Sequence, residues 1–113
     1  FEQCLNKCII AASTVVAHKN IFYDVGLFDE SIKICEDYEM WLRITAKYKV
    51  GFNPKELLTK HGGHNDQLSN VQEGIEYYHI QALEKLLNKK ILIGSKFTMT
   101  KKMLIEKLKI YLL

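Results

Sequence analysis

The stretch from residue 36 to residue 45 constrains the fold of this chain most, because two adjacent carboxylates stand directly before a helical pattern of apolar residues. The pattern is formed by Tyr38, Trp41, Leu42 and Thr45. Its three- and four-residue spacing predicts an α-helix with one buried face. Asp37 precedes the single tryptophan by about one helical turn, so the two side chains share one side of that helix. A carboxylate against an aromatic wall is poorly hydrated, binds a proton more readily and can act as a general base.

Length and composition are typical of one folded domain. The chain has 113 residues, of which 48% are hydrophobic, and it contains a single proline. The formal net charge of +3 is too small to indicate nucleic-acid binding, and the lysines do not alternate with aromatic residues. We therefore expect no nucleic-acid partner.

Cysteine content and the start of the chain bear on its cellular location. Cys4, Cys8 and Cys35 cannot all pair within one chain, and such a sparse, odd set favours a reducing compartment, so we expect a cytoplasmic protein. No apolar run is long enough to cross a bilayer, and the first residues lack the features of a signal peptide. The chain starts without methionine and soon becomes apolar, which suggests a piece of a longer protein, although processing could give the same start.

Three segments predict short strands. Residues 8–17 are apolar and β-branched, and residues 49–53 and 56–60 flank Pro54. Three short strands alone do not form a stable covered sheet. We therefore expect an α/β fold whose sheet is completed by a missing segment or by a partner chain.

Four segments predict helices. They are residues 18–25, residues 36–48, a long segment from Ser69 to the break at residues 94–95, and a last segment from Thr98 or Thr100 to Leu113. Gly26 would end the first helix, as glycine often does beyond a helix C-terminus. Ser69 and Gln72 would form a capping box at the start of the long helix.

The carboxylate pair at residues 36–37 has a simple structural explanation. Acidic residues in a first helical turn interact favourably with the helix dipole and contribute about 0.3–1 kcal/mol each. The neighbouring sequence favours a catalytic interpretation. Residues 25–31 read Val-Gly-Leu-Phe-Asp-Glu-Ser, and residues 35–43 read Cys-Glu-Asp-Tyr-Glu-Met-Trp-Leu-Arg.

These two motifs together resemble the second half of family 2 glycosyltransferases with the GT-A fold, in which a GxFDE loop is followed by an EDxxxWxR helix. The resemblance covers about residues 9–69, and the combination at this spacing is more specific than either motif alone. It implies an inverting enzyme that moves a sugar from a nucleotide-sugar donor to a hydroxyl of a glycan or lipid-linked acceptor. Such an enzyme would act in the synthesis of a cell-surface polysaccharide or lipopolysaccharide.

The resemblance also implies roles for individual residues. Asp37 would be the general base that takes the proton of the attacking hydroxyl, and Glu36 would shape the acceptor site. Trp41 and Arg43 would brace the helix from behind. Asp29 would either accept hydrogen bonds within its own loop or contact the acceptor.

The chain departs from the family in lacking the features of the donor-binding half. It contains no Asp-x-Asp motif and no glycine-rich phosphate loop. We therefore expect one partial domain, with the acceptor-side half of a GT-A domain up to about residue 69 and trailing helices from there to residue 113. A divalent cation, Mg²⁺ or Mn²⁺, would bind only in the intact enzyme. The fragment alone would be inactive, and exposed strand edges could lead to a homo-oligomer.

The loop that begins at His61 and includes His64 has three interpretations. Its histidines could be solvated surface residues, or they could form a zinc site with Cys4 and Cys8. The family suggests a third interpretation, in which one histidine lies near the donor diphosphate and its divalent ion. The two glycines between the histidines would suit a loop that closes over a substrate.

The C-terminal helix is basic and amphipathic, with lysines at positions 101, 102, 107 and 109. Its apolar side could pack on the domain, or the helix could contact a membrane at its inner face. Two other functions also fit the sequence: a non-catalytic helical interaction module and a small metal-binding regulator.

Overall fold

A computed structural model describes residues 1–65 and 74–113. The described residues form five α-helices and one short 3₁₀ turn. In chain order these are α1 (Glu2–Asn6), the 3₁₀ turn (Ala12–Thr14), α2 (Lys19–Val25), α3 (Glu36–Lys47), α4 (Ile75–Asn88) and α5 (Ser95–Tyr111).

The prediction of an α/β fold with about three short strands is wrong, since the described ranges contain helices and irregular backbone but no strand. Residues 8–17 hold only the 3₁₀ turn, and residues 49–53 and 56–60 are irregular and exposed. The apolar side chains of the first segment have a different use. Ile10 and Val15 pack against α3, so their hydrophobicity reflects contact with a helix and not with a sheet.

Helix predictions were more successful. The helices expected at residues 18–25 and 36–48 are confirmed as α2 and α3, and Gly26 ends α2 with a φ of 89°. The last helix begins at Ser95, earlier than predicted, directly after Gly94 with a φ of 59°. The predicted helix start at Ser69 and its capping box lie outside the described residues. The short helix α1 was not predicted.

Helix α3 lies at the centre of the fold, between two apolar clusters. The first cluster brings α1, α3 and α4 together and contains Cys4, Leu5, Tyr38, Leu42, Ala82, Leu83, Leu86 and Leu92. The second contains Met40, Trp41 and Ile44, against which residues of α2 pack. Eight successive residues of α3, from Tyr38 to Thr45, are buried. The helix is therefore enclosed on all sides over this stretch, and the prediction of a single buried face is wrong.

A buried polar group joins α4 to α5. Lys107 is only 4% exposed, and its Nζ lies 3.0 Å from Oε2 of Glu76 and 3.3 Å from Nδ1 of His79. The His79 ring stacks on Tyr38 with centroids 4.0 Å apart. Lys107 therefore does not belong to the exposed basic face predicted for the last helix. Within the described ranges, no helix combines the length and the apolar character needed to cross a membrane.

Replacing Gly26 with alanine should destabilise the protein by about 1–3 kcal/mol, because its backbone conformation is nearly restricted to glycine. A Cβ atom there would also lie 3.3 Å from Nη1 of Arg43. Urea unfolding measures the change. Gly51→Ala is the matched control, since a Cβ at Gly51 would meet nothing within 4 Å. Equal free energies of unfolding for the two variants would show that position 26 does not require glycine.

Burial of His79 should make the protein less stable in mild acid. Desolvation, followed by the nearby positive charge of Lys107, lowers the pKa of His79 from 6.5 to about 4. Between these values the unfolded chain binds the proton and the folded chain does not, so stability should fall as the pH drops from 6.5 towards 4. The loss attributable to this group is at most about 3 kcal/mol.

Urea unfolding at half-unit steps from pH 7 to pH 4.5 measures this slope. His79→Gln should flatten it, whereas His61→Gln, in an exposed segment, should leave it as in the unmodified protein. A slope that survives His79→Gln would assign the acid sensitivity to other groups.

Candidate functional site

The carboxylates of Glu36 and Asp37 lie in the first turn of α3, and both residues are partly buried. The chain enters this turn through Cys35, which has a φ of 64°. Oδ1 of Asp37 accepts a hydrogen bond from the backbone N–H of Tyr38 at 2.7 Å. The Cys8 thiol lies near this carboxylate and donates to the carbonyl oxygen of Ile10 at 3.5 Å.

Residues 5–10 run along the N-terminal half of α3, beside Asp37. The Tyr38 hydroxyl donates to the carbonyl oxygen of Leu5 at 2.6 Å, and Nε1 of Trp41 donates to that of Ile10 at 2.9 Å. These two bonds fix the segment at both ends. Cys8 lies between them, which explains its contact with the candidate base.

The two thiols near this turn are poor nucleophiles. Partial desolvation and the negative charge of Asp37 raise the pKa of Cys8 to about 12. The same two causes raise the pKa of Cys35 to about 11. Because the thiolate is the reactive form, these raised pKa values leave little reactive thiolate at neutral pH. All three cysteines are free thiols, and Cys4 is buried in the first apolar cluster.

Trp41 packs the loop that follows α2 onto α3. It is 5% exposed, and the Phe28 ring meets it edge-on, with centroids 6.2 Å apart and planes at 80°. Because its indole N–H is bonded to Ile10, its polar group is already satisfied. The contacts of Trp41 hold two segments against the helix.

Arg43 binds the backbone of the same loop. It is 3% exposed; its Nη1 donates to the carbonyl oxygens of Val25 and Gly26, and its Nη2 donates to that of Leu27 at 2.8 Å. The carbonyl group of Val25 belongs to the last turn of α2, which leaves it without a partner in the helix, and those of Gly26 and Leu27 follow directly. A positive charge at a helix C-terminus is also favourable for the helix dipole. Arg43 therefore caps α2 from the side of α3.

Arg43 is the first of four side chains whose charges alternate in sign. We name this row the charge chain; its members are Arg43, Glu39, Lys85 and Asp29. Nε of Arg43 lies 2.9 Å from Oε1 of Glu39, and Nζ of Lys85 lies 2.9 Å from the same oxygen. Lys85 also pairs with Oδ2 of Asp29. The chain joins α3, α4 and the loop after α2, and its four formal charges sum to zero.

Asp29 lies at the outer end of the charge chain. Its Oδ1 accepts hydrogen bonds from the backbone N–H of Ser31 at 3.0 Å and from the Ser31 hydroxyl at 2.6 Å, which is the geometry of an Asx turn. The hydrogen bond from Lys85, followed by those from Ser31, holds the pKa of Asp29 well below its usual range. The loop is thereby closed on itself and tied to α4.

Sequence analysis singled out Asp29 and Arg43 but missed Glu39 and Lys85. Glu39 and Arg43 are four residues apart, the spacing of an ion pair on one helix, so this pair could have been found. Lys85 is 56 residues from Asp29 and on another helix. No local pattern marks such a contact.

The predicted site residues fall into separate groups. Asp29, Trp41 and Arg43 hold the loop and α2 against α3, whereas Glu36 and Asp37 lie at its first turn. His61 and His64 lie in the irregular, exposed segment 49–65. In residues 1–65 and 74–113, no three His, Cys, Asp or Glu side chains form a group that could hold a metal ion. The proposed zinc ligands are therefore not brought together.

The surface depressions formed by the described residues include an apolar groove and a shallow depression. An apolar groove of about 180 Å³ lies beside Trp41, between residues 15–18 and residues 48–51. A shallow depression of about 450 Å³ lies on α4 and includes Lys85. Asp37 lines neither of them.

Comparison with known proteins found a similarity to a glycosyltransferase. The chain is 34% identical over 63 residues to an uncharacterized glycosyltransferase of Rickettsia typhi (strain ATCC VR-144 / Wilmington). The match covers 56% of this chain and 20% of that relative, so the chain corresponds to a minor part of its length. No protein-family model matches, and no solved structure gives a significant match. This similarity is to a glycosyltransferase and does not extend to a particular family of them.

Replacing Arg43 with methionine should destabilise the protein by about 3–5 kcal/mol, because Glu39 would keep a buried charge and lose its main partner. The measurement is the free energy of unfolding in urea. Lys47→Met is the matched control on the same helix, since it removes the solvent-exposed pair with Asp24. Its effect should be close to zero, as for exposed ion pairs in general. Similar losses in both variants would show that the burial of the Arg43 pair is not decisive.

Proposed function

We propose that this chain is the acceptor-side part of an inverting glycosyltransferase of family 2, and that Asp37 is its general base. The longer protein would move a sugar from a nucleotide-diphosphate donor to a hydroxyl of a glycan or lipid-linked acceptor. Two findings support the proposal: the paired motifs of residues 25–43, and the 34% identity over 63 residues to the Rickettsia typhi glycosyltransferase.

The observation that carries the proposal is the contrast between Asp37 and three other acidic residues of this region. Asp24, Asp29 and Glu39 each form an ion pair with a lysine or an arginine. Asp37, like Glu36, forms no ion pair within the described part of the chain, and its carboxylate accepts a hydrogen bond from the backbone N–H of Tyr38. Its carboxylate is therefore not neutralised by a fixed cation and can accept a proton from a substrate.

The reaction would follow from this placement. An acceptor hydroxyl would approach Asp37 and give up its proton as its oxygen attacks the anomeric carbon. The new carbon–oxygen bond would form as the bond to the diphosphate breaks, and the nucleoside diphosphate would leave with both electrons. Glu36, the preceding residue, would orient the acceptor.

A divalent cation in the intact enzyme would neutralise charge on the leaving diphosphate. The described residues offer no group of ligands for it, so we assign no step of the reaction to a metal on this chain. His61 or His64 would approach the donor diphosphate only if the exposed segment that carries them folds over the donor. Contact of α5 with a membrane surface would depend on Lys101, Lys102 and Lys109, which are exposed.

A non-catalytic interaction module is the second candidate. It is favoured by large apolar side chains on the surface, among them Phe52 at 89%, Leu57 at 77% and Leu112 at 79% exposure. Such a module would need the charge chain and the buried face of Trp41 for stability. It would have no use for the carboxylates of Glu36 and Asp37.

The replacement Asp37→Asn tests the proposal in the complete gene product that contains these 113 residues. The probes are UDP-glucose, UDP-galactose and GDP-mannose as donors and octyl glycosides as acceptors, with Mg²⁺ or Mn²⁺ present. Transfer, measured as product formed and nucleoside diphosphate released, should fall by about 10²–10⁴-fold, the usual contribution of a general base.

Asp24→Asn is the control, because it removes an exposed carboxylate from the neighbouring helix without touching the first turn of α3. It should keep the rate of the unmodified enzyme. Near-normal transfer by Asp37→Asn would remove Asp37 from the mechanism. A gene product that transfers no sugar from any of these donors would favour the interaction module.

A further inference from the structure

The solvent-facing side of α5 carries lysines beside large apolar side chains, and we propose that this side binds an anionic lipid surface. We name it the α5 face; its members are Phe97, Lys101, Lys102, Ile105, Lys109 and Leu112. None of these residues is assigned to sugar transfer. The proposal therefore holds or fails independently of the role of Asp37.

Burial divides α5 into two sides. Thr100 and Lys107 are buried, and the ammonium group of Lys107 pairs with Glu76 on α4. Ile105 and Lys109 each lie two residues from Lys107, which places them about 200° away around an α-helix. Both are exposed, Ile105 at 44%. The side of α5 opposite Lys107 is therefore the side that a partner can reach.

Four-residue spacing aligns most of the α5 face along one ridge of the helix. The ridge runs through Phe97, Lys101, Ile105 and Lys109, and Leu112 follows at its end. Phe97 and Leu112 are exposed at 43% and 79%. Apolar and cationic side chains thus alternate along a single helix. Such a helix can lie flat on a bilayer, with its apolar side chains at the acyl boundary and its lysine ammonium groups among the headgroups.

The three lysines of the α5 face form no ion pair with a described residue. Lys47, Lys85 and Lys107, in contrast, each pair with a carboxylate of the protein. The one carboxylate of α5 belongs to Glu106, so the α5 face stays cationic. Its charges are complementary to the anionic headgroups of a membrane surface, which attract clustered lysines.

Composition favours a lipid surface over a protein partner. Protein interfaces are enriched in arginine and depleted in lysine, whereas the α5 face has three lysines and no arginine. Its apolar side chains are spaced singly along the ridge, and the two depressions described above are lined by residues of other segments. A smooth bilayer surface requires no pocket and no fixed partner for each side chain. An acidic protein partner is left as an outcome of the test.

The test measures sedimentation of the complete gene product with sucrose-loaded vesicles. The vesicles contain phosphatidylcholine alone or phosphatidylcholine mixed with anionic phosphatidylglycerol. Each exposed lysine should strengthen binding to the mixed vesicles about five-fold, so the preference for them should reach about 10–100-fold. The preference should be lost when the salt concentration rises from about 0.1 M to about 1 M, because the Debye length then falls from about 10 Å to about 3 Å.

Replacing all three lysines of the α5 face with glutamine should remove this preference. The matched control replaces Lys49, Lys55 and Lys60 with glutamine, which removes the same charge from an exposed segment outside α5 and should leave binding unchanged. Ile105→Ser should weaken binding to both kinds of vesicle about five-fold, since less apolar surface is buried. Glu106→Gln should strengthen binding to the mixed vesicles about two- to five-fold.

Urea unfolding checks that each variant is folded, and the gain expected for Glu106→Gln keeps the proposal testable if the triple variant is not. Equal losses in the two triple variants would show that only net charge matters and would overturn the proposal. Equal binding of the unmodified protein to both kinds of vesicle would also overturn it. Binding that Ile105→Ser leaves unchanged, and that an acidic polypeptide reproduces, would assign the lysines to a protein partner instead.

Discussion

The buried ion pair between Glu39 and Arg43 is the interaction on which the rest of this structure depends. Two charges removed from water cost several kcal/mol unless further hydrogen bonds compensate. Here the guanidinium donates to three backbone carbonyls, and the carboxylate also receives Lys85. The pair therefore holds α2, α3, α4 and the loop after α2 in one arrangement, and the apolar clusters form around it.

The two motifs of residues 25–43 divide into a supporting part and a partly buried acidic part. Gly26, Phe28 and Asp29 meet α3 or α4 through Arg43, Trp41 and Lys85, respectively. This explains in physical terms why the loop and the helix occur together, since each supplies the partners of the other. Glu36 and Asp37 take no part in these contacts. Their contribution to stability is limited to a favourable interaction with the helix dipole of about 0.3–1 kcal/mol each, and we connect them with chemistry.

Local signals allowed α2 and α3 to be predicted from the sequence, because a stop at Gly26 and the spacing of Tyr38, Trp41 and Leu42 act over one or two helical turns. The strand predictions failed since residues 8–17 are apolar for packing on α3, and hydrophobicity does not specify the partner surface. The full enclosure of α3 was missed because Glu39 and Arg43 look like exposed polar residues until their partners are known. Lys85 could not be found, since its contacts come from distant segments.

Arg43 binds residues 25–27 by donating hydrogen bonds to backbone carbonyl oxygens, which every amino acid possesses. The arginine therefore recognises the path of the main chain and is indifferent to the side chains at positions 25 and 27. Divergent relatives can exchange the exposed Leu27 freely, whereas Val25 also packs on the second apolar cluster and the glycine between them is constrained by the guanidinium. Drift along residues 25–27 should consequently be uneven, with an apolar residue kept at position 25, glycine fixed at position 26 and position 27 variable.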